Sequence, residues 1–261
     1  AQSSLRWFVD NFSPIADGRA TLLRVASFRD ALVHPRAQQP HDSKIRYDYG
    51  TAGTVVIDNL VIDSSAGQDA LQEVHVALHT GERMIVDCAP GTNRTQLFRA
   101  LAGLWPWGHG QVTRPSDESV LYLPRGTPYL PRGTLREVLA YPLKVSQFNA
   151  EAFEQALRRL RLQRLLPMLD EVHRWDRELA QEEQTAVALT RVVVHVPQWL
   201  LMDGTLSAMP DDLLERVSEA LENELRYTGV VHIGPVVQAV DPLFNRVVHL
   251  VKVAPEASHA G

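Results

Sequence analysis

The chain has 261 residues, of which 45% are hydrophobic and 22% are charged. This composition is ordinary for a globular domain, and it excludes a disordered, collagen-like or coiled-coil chain. The single cysteine, Cys88, excludes an internal disulfide framework and a cysteine-based zinc site. The formal net charge of −5 carries no overall basic signature, so no nucleic-acid partner is predicted. No apolar run reaches the length of about 18 residues that a membrane-spanning helix needs.

The first segment of the chain is predicted to be helical. Apolar residues recur at three- and four-residue spacing over residues 4–34, and Pro35 ends that pattern. The polar stretch 35–44 contains two prolines and is typical of a linker. Because the chain begins abruptly at Ala1 with no signal-peptide pattern, we expect it to be a piece of a longer protein.

Downstream of this linker, short strands alternate with helices. Strands are predicted at 54–57, 60–62, 74–78, 83–86, 119–123, 198–203 and 229–233. Helices are predicted at 95–104, over most of 134–190 and at 211–227. The alternation favours a parallel α/β sheet, with an antiparallel β piece in front and a helical insertion in the middle.

A strand, a glycine-containing turn and a helix follow one another at residues 83–104, which is the layout of a phosphate-binding loop. The turn reads Cys88-Ala89-Pro90-Gly91-Thr92-Asn93-Arg94-Thr95. On its own it departs far from the pattern G-x-x-x-x-G-K-S/T. The bare motif therefore favours a plain turn between a strand and a helix.

Three longer runs carry a family resemblance. They read LFRALAGLWPWGHGQV at 97–112, LYLPRGTPYLPRGTLREVLAYP at 121–142 and LTRVVVHVPQWLLMD at 189–203. Together they resemble the ATPases of ATP-binding cassette (ABC) transporters, in particular the peroxisomal fatty-acyl exporters and their bacterial relatives. The resemblance implies a P-loop NTPase-like α/β cassette with an antiparallel β subdomain, a parallel-sheet core and a helical subdomain near 134–190.

The resemblance also implies a domain organisation and partners. Residues 1–44 resemble the helical segment that follows the last membrane helix in that branch, and residues 45–261 correspond to the nucleotide-binding domain. The expected partners are a fused or associated transmembrane domain and a second cassette in a dimer. The expected cofactors are ATP and Mg²⁺, and the expected location is the cytoplasmic face of a membrane.

The phosphate-binding loop departs from the family pattern at its working positions. Cys88 stands at the first glycine, Asn93 at the second glycine and Arg94 at the lysine. A planar guanidinium does not substitute for the compact ammonium that reaches the phosphates. The loop residues that the resemblance still places against a nucleotide are Gly91, Thr92, Arg94, Thr95 and Gln96. Of these, Thr95 keeps the residue type of a Mg²⁺ ligand.

The catalytic positions are degenerate as well. Asp203 matches the acid that supports Mg²⁺, although an acid at the end of a strand is also a common structural feature. Gly204 stands at the glutamate that polarises the attacking water, and glycine cannot act as a general base. Pro235 stands at the switch histidine, and Arg125 at the glutamine that senses Mg²⁺. The resemblance therefore leaves no catalytic residue intact.

The signature motif and the adenine-stacking residue are altered too. At the place where the family has L-S-G-G-E-Q, the corresponding segment of this chain starts with Leu179-Ala180-Gln181-Glu182. Glu182 places a negative charge where the motif would meet a phosphate across a dimer, which is repulsive. No Phe, Trp or Tyr lies between Tyr49 and Phe98, so the usual stacking residue is missing from its expected stretch.

Three functions remain open at this point. The first is an ATP-hydrolysing motor domain of an exporter, as the family alone implies. The second is a pseudo-ATPase, which keeps the packing of a cassette but no longer turns over nucleotide. The third is a scaffold module that uses the same fold. The second is favoured, because residues of the scaffold agree with the family while residues that face the ligand do not.

Overall fold

The computed structural model describes residues 44–235 and 241–253, together with Arg19, residues 21–26 and Arg29. Backbone contacts divide the chain into two compact units, residues 1–42 and residues 43–261.

In the first unit, every described residue is helical. Three of its apolar side chains, Leu22, Leu23 and Val25, are each at least 60% exposed. The rest of the helix predicted over 4–34, and most of the linker predicted at 35–44, lie outside the described residues. None of the helices in the described part of the chain is long and apolar enough to cross a bilayer.

The second unit is built on a ten-stranded sheet and a small two-stranded sheet. The strands are β1 (Arg46–Gly50), β2 (Thr54–Ser64), β3 (Gly67–Leu71), β4 (His75–His79), β5 (Arg83–Cys88), β6 (Gly108–Pro115), β7 (Val120–Leu123), β8 (Gly133–Thr134), β9 (Val172–His173), β10 (Trp199–Asp203), β11 (Gly229–Ile233) and β12 (Arg246–Lys252). Strands β8 and β9 pair only with each other.

The large sheet has a parallel half and an antiparallel half. Its order is β1-β6-β2-β3-β12-β5-β11-β10-β7, with β4 paired to β2. Strands β12, β5, β11, β10 and β7 run parallel to one another. Strand β3 pairs antiparallel with both β12 and β2, and β2 also pairs antiparallel with β4 and β6. Every residue of β10 and β11 is buried, as expected for strands covered on both faces. The predicted parallel core with an antiparallel piece is thereby confirmed.

The helices are α1 (Arg94–Leu101), α2 (Leu135–Ala140), α3 (Ala150–Arg159), α4 (Trp175–Glu178), α5 (Gln181–His195) and α6 (Asp211–Glu222). Four short 3₁₀ turns lie at Val145–Gln147, Gln163–Met168, Leu206–Ala208 and Asp241–Leu243. Helices α2 to α5 lie between β7 and β10 in sequence and form the predicted helical insertion. Its core surrounds Trp175, whose side chain is fully buried and whose indole N–H donates to the carbonyl of Gly133 at 2.9 Å.

Several boundaries differ from the sequence predictions. The strands predicted at 54–57 and 60–62 form one strand, β2, which bulges at Asn59 with a φ of 47°. Helix α1 ends at Leu101, so Leu104 lies beyond it and is 71% exposed. Helix α6 ends at Glu222, before the predicted 227. The sequence patterns do not predict strands β1, β3, β6, β8, β9 and β12.

Candidate functional site

Parallel strands bring the loop at 88–95 and the end of β10 to the same edge of the sheet. The backbone N–H of Gly204 donates to the carbonyl oxygen of Ile233 at 2.8 Å, and the backbone N–H of Gly234 donates to the carbonyl oxygen of Val86 at 3.0 Å. These bonds fix the ends of β5, β10 and β11 beside one another. A cleft of about 430 Å³ opens at this edge. It is lined by Ala66, Cys88, Ala89, Gly91, Thr92, Asn93, Arg94, Thr95 and Arg125.

The loop at 88–95 is held mainly by hydrogen bonds between its own residues and the start of α1. The Thr92 hydroxyl donates to the carbonyl of Ala89 at 2.7 Å. Gly91 has a φ of 83°, a conformation that suits glycine, and a Cβ added to it would meet nothing within 4 Å. Asn93 has a φ of −101° and caps α1, because its side chain accepts from the N–H of Gln96 at 3.3 Å. Asn93, which the resemblance places at the family's second glycine, is therefore a helix cap and has no positive φ.

A buried carboxylate from the antiparallel half holds the same loop. Asp69 on β3 is fully buried, and its Oδ2 accepts from the backbone N–H of Asn93 at 2.9 Å. Its Oδ1 lies 3.1 Å from the ammonium of Lys252 on β12. One backbone donor of the loop is thus already satisfied by an anion of the protein itself. Sequence reasoning missed both Asp69 and Lys252. The only signal for Asp69 was its place as a single acidic residue among the apolar and small residues of the run GQDAL.

The acid at the end of β10 is surrounded by loop residues. Asp203 is 1% exposed, and its Oδ1 accepts from Nη2 of Arg125 at 3.1 Å. The Nε of Arg94 lies 4.0 Å from the same oxygen. The hydroxyl of Thr95 donates to Oδ2 at 3.3 Å. The structure therefore brings together Arg94, Thr95, Arg125 and Asp203, all of which are singled out in the sequence.

These residues do not fit a Mg²⁺ ion in this arrangement. Mg²⁺ requires oxygen ligands at about 2.0–2.1 Å in octahedral geometry. Thr95 and Asp203 are the pair that the resemblance assigns to the metal, yet both carboxylate oxygens of Asp203 already have protein partners. Two guanidinium groups also lie beside the carboxylate. Elsewhere in the described ranges, no group of three or more His, Cys, Asp or Glu side chains is placed to hold a metal.

The residue after this acid lies beside both arginines. Gly204 has a φ of 63°, and a Cβ on it would lie 3.7 Å from Nε of Arg125 and 4.0 Å from Nη1 of Arg94. A Cβ at this position would therefore contact both guanidinium groups at ordinary van der Waals distance, while the positive φ favours glycine. Neither Gly204 nor the exposed Pro235 supplies a group that can take a proton from water.

Comparisons with known proteins agree with this architecture. No family model matches the chain. An ABC transporter ATP-binding protein of Haemophilus influenzae is 26% identical over 180 residues, which are 69% of this chain and 30% of that protein. ABC transporter D family member 3 of Dictyostelium discoideum is 28% identical over 192 residues, or 69% of this chain and 26% of that protein. The relatives of this chain are ABC transporter ATP-binding proteins.

A solved structure supports the fold independently. An ABC transporter in an inward-facing conformation superposes with a TM-score of 0.58 at 16% identity, covering 76% of this chain and 80% of that chain. The fold is thus that of an ABC cassette, and the resemblance found in the sequence is confirmed. The chain spans 30% and 26% of the lengths of the two curated relatives described above.

The segment that the resemblance aligns with the family's signature motif lies at the start of α5. Leu179 is buried, Ala180 precedes the helix, and the side chains of Gln181 and Glu182 are exposed. The N–H of Ala180 donates to the carboxylate of Glu183 at 3.2 Å, so the start of the helix is capped from within. Across the described ranges, no hydrogen bond or ion pair joins these four signature residues to the loop at 88–95.

Two further groups in the cassette core have shifted pKa values. Burial, reinforced by nearby carboxylates, raises the pKa of the Cys88 thiol to about 12, so Cys88 stays a neutral thiol. His232 on β11 is fully buried, and neither ring nitrogen has a hydrogen-bond partner. Burial lowers the pKa of His232 to about 4. Sequence analysis had not singled out this histidine, because nothing in the run GVVHI distinguishes it from a core position.

Proposed function

We propose that this chain is an ABC-transporter-type nucleotide-binding domain in which ATP binding and hydrolysis are lost or strongly impaired. The observation that carries the proposal is the contact between Asp203 and Arg125. In an active cassette, the corresponding acid supports Mg²⁺. Here the charge of the acid is neutralised inside the protein, so nothing remains to recruit the metal with its nucleotide.

Weak binding follows from the interactions that the cleft lacks. The loop has two side chains, Cys88 and Asn93, where bare glycines admit phosphates, and the N–H of Asn93 is bound to Asp69. The adenine-stacking residue is also missing from its expected stretch. Each lost hydrogen bond or stacking contact removes about 1–3 kcal/mol. Since about 1.4 kcal/mol is a tenfold change, a micromolar site weakens to the millimolar range or beyond.

Hydrolysis is impaired further. A missing general base and a missing electrostatic stabiliser each lower the rate by roughly 10²–10⁴. Gly204 and Pro235 stand at those two positions. Because they lie on separate segments, no single substitution restores both functions.

The retained role is one of packing within a larger transporter. The buried strands β10 and β11 and the helical core around Trp175 are intact. In this proposal, residues 1–44 follow a fused or associated transmembrane domain and residues 45–261 pair with a second cassette. The assembly lies on the cytoplasmic face of a membrane. ATP and Mg²⁺ remain the cofactors of the family, with weak or absent binding here.

One observation favours an active motor domain as the second candidate. Thr95 and Asp203 lie 3.3 Å apart through their side-chain oxygens, which is the juxtaposition that a metal-assisted ATPase needs. The arginine on the same carboxylate weighs against it, since that contact must break before a metal can enter.

Steady-state phosphate release separates the two candidates. The unmodified chain and Asp203→Asn are compared at matched protein concentration, so that contaminating ATPases contribute equally. We expect both to remain at background. Release by the unmodified chain at about 1 s⁻¹ or faster, abolished by Asp203→Asn, would contradict the proposal and establish a motor domain.

A further inference from the structure

A buried acid in the cleft is already neutralised by an arginine. Asp203 is 1% exposed, and a carboxylate at that depth requires a positive partner or hydrogen-bond donors to remain charged. Arg125 supplies the charge at 3.1 Å from Oδ1, and the Thr95 hydroxyl supplies a hydrogen bond to Oδ2. The second guanidinium, that of Arg94, adds a weaker attraction at 4.0 Å.

Arg125 reaches Asp203 from the strand next to β10 in the sheet. It follows β7 by two residues, and its side chain extends across to the end of β10. Gly204, the residue after Asp203, lies beside the guanidinium, and a Cβ on it would be in ordinary van der Waals contact with Nε of Arg125 at 3.7 Å. The contact between Arg125 and Asp203 therefore does not depend on the glycine.

We propose that Arg125 stands in for the divalent cation at Asp203, so that this cleft is a metal-free site. A guanidinium is permanently charged and donates from a fixed planar fork, which suits it to neutralise a buried carboxylate. A Mg²⁺ ion entering beside Arg125 and Arg94 would meet two positive groups at short range. Arg125 neutralises Asp203 through contacts within the protein alone, whether or not a nucleotide binds.

Thermal unfolding of the full chain tests whether the guanidinium of Arg125 takes the place of a divalent cation at Asp203. We expect Arg125→Gln to lower the Tm by about 3 °C or more, because it leaves a buried carboxylate without its cation. About 10 mM MgCl₂ should then restore at least half of that loss, relative to NaCl at matched ionic strength. The unmodified chain should change by less than about 1 °C under the same conditions.

Two control variants make the result specific. In the double variant Arg125→Gln, Asp203→Asn, the carboxylate is gone, so Mg²⁺ should have no effect. Arg132→Gln removes an exposed arginine from the same segment, and it should neither lower the Tm nor respond to Mg²⁺. Three results would overturn the proposal: stabilisation of the unmodified chain by Mg²⁺ through Asp203, no effect of Arg125→Gln, or a destabilised Arg125→Gln that Mg²⁺ does not rescue.

A second measurement covers the case in which Arg125→Gln does not fold. Mn²⁺ is titrated into the unmodified chain and into Asp203→Asn, and free Mn²⁺ is read by electron paramagnetic resonance. The proposal predicts no Asp203-dependent binding up to about 1 mM Mn²⁺. A site occupied below that concentration in the unmodified chain, and lost in Asp203→Asn, would overturn it.

Discussion

Asp69 and Asp203 are buried carboxylates that share one property: each is neutralised by a basic side chain close to the loop. Asp69 pairs with Lys252 and also accepts the N–H of Asn93, while Asp203 pairs with Arg125. Removing one member of such a pair is strongly destabilising, because the remaining charge is left unpaired. Loss of either basic partner would therefore leave a buried carboxylate unpaired beside the loop.

His232 leads to a prediction about pH. Burial lowers the pKa of His232 to about 4 in the folded chain, below its ordinary value of 6.5, so the unfolded chain binds more protons between these pH values. The contribution of His232 to stability is therefore complete above pH 6.5 and falls as the pH is lowered towards 4. The slope approaches about 1.4 kcal/mol per pH unit, so the loss over the window is about 2–3 kcal/mol.

Urea unfolding from about pH 7 to about pH 4 checks this effect against His232→Leu. Between about pH 7 and about pH 4, the free energy of unfolding of the variant should fall by about 2–3 kcal/mol less than that of the unmodified chain, because the leucine does not titrate. The exposed His109 serves as the control, and His109→Leu should keep the dependence of the unmodified chain. Parallel pH curves for the unmodified chain and His232→Leu would show that the burial of His232 has no energetic consequence.

At the scale of elements, sequence patterns predicted the strands that are buried on both faces. The runs WLLMD and GVVHI are nearly all apolar, and they became β10 and β11. Strands β1 and β6 read RYDYG and GHGQVTRP, with few apolar residues and no strict alternation. They form because they pair with each other although more than 60 residues separate them in the sequence. No local sequence pattern encodes such a contact.

The candidate site was predictable to a similar extent. The loop, Thr95 and Asp203 could be placed because they sit where a strand meets a helix or ends at the edge of a sheet. Asp69 and Lys252 could not, because they come from β3 and β12 and meet only through sheet pairing. The contact between Arg125 and Asp203 spans 78 positions of sequence and likewise requires the folded sheet.

Helix α5 gives a prediction at this scale. Glu182 and Glu183 lie in its first turn, where negative charge interacts favourably with the helix dipole. Restoring the family's glycines with Gln181→Gly, Glu182→Gly should lower the free energy of unfolding by about 1 kcal/mol relative to Gln181→Ala, Glu182→Ala. Both pairs remove the same side chains, so urea unfolding of the two variants isolates the backbone effect. Equal stability would show that the signature segment tolerates glycine without loss.

At the scale of the whole molecule, the proposal separates the scaffold from the residues that would face a nucleotide. The sheet, the helical insertion and their cores form the cassette fold, which depends on burial of apolar surface. In the proposal, the positions that would face a nucleotide carry arginines, an asparagine, a cysteine, a glycine and a proline where the family has other residues. A fold of this kind does not require the ligand contacts, because function resides in a site carried by a scaffold.

Calorimetric titration with Mg-ATP measures whether the cleft still binds nucleotide. A repaired variant serves as the positive control. It carries Cys88→Gly, Asn93→Gly, Arg94→Lys, Arg125→Gln, Gly204→Glu and Pro235→His. We expect the unmodified chain to show a Kd weaker than about 1 mM, and the repaired variant to bind more tightly by at least about tenfold. A micromolar Kd for the unmodified chain would contradict the account, because the cleft would then accept nucleotide and metal despite Arg94, Arg125 and Asp69.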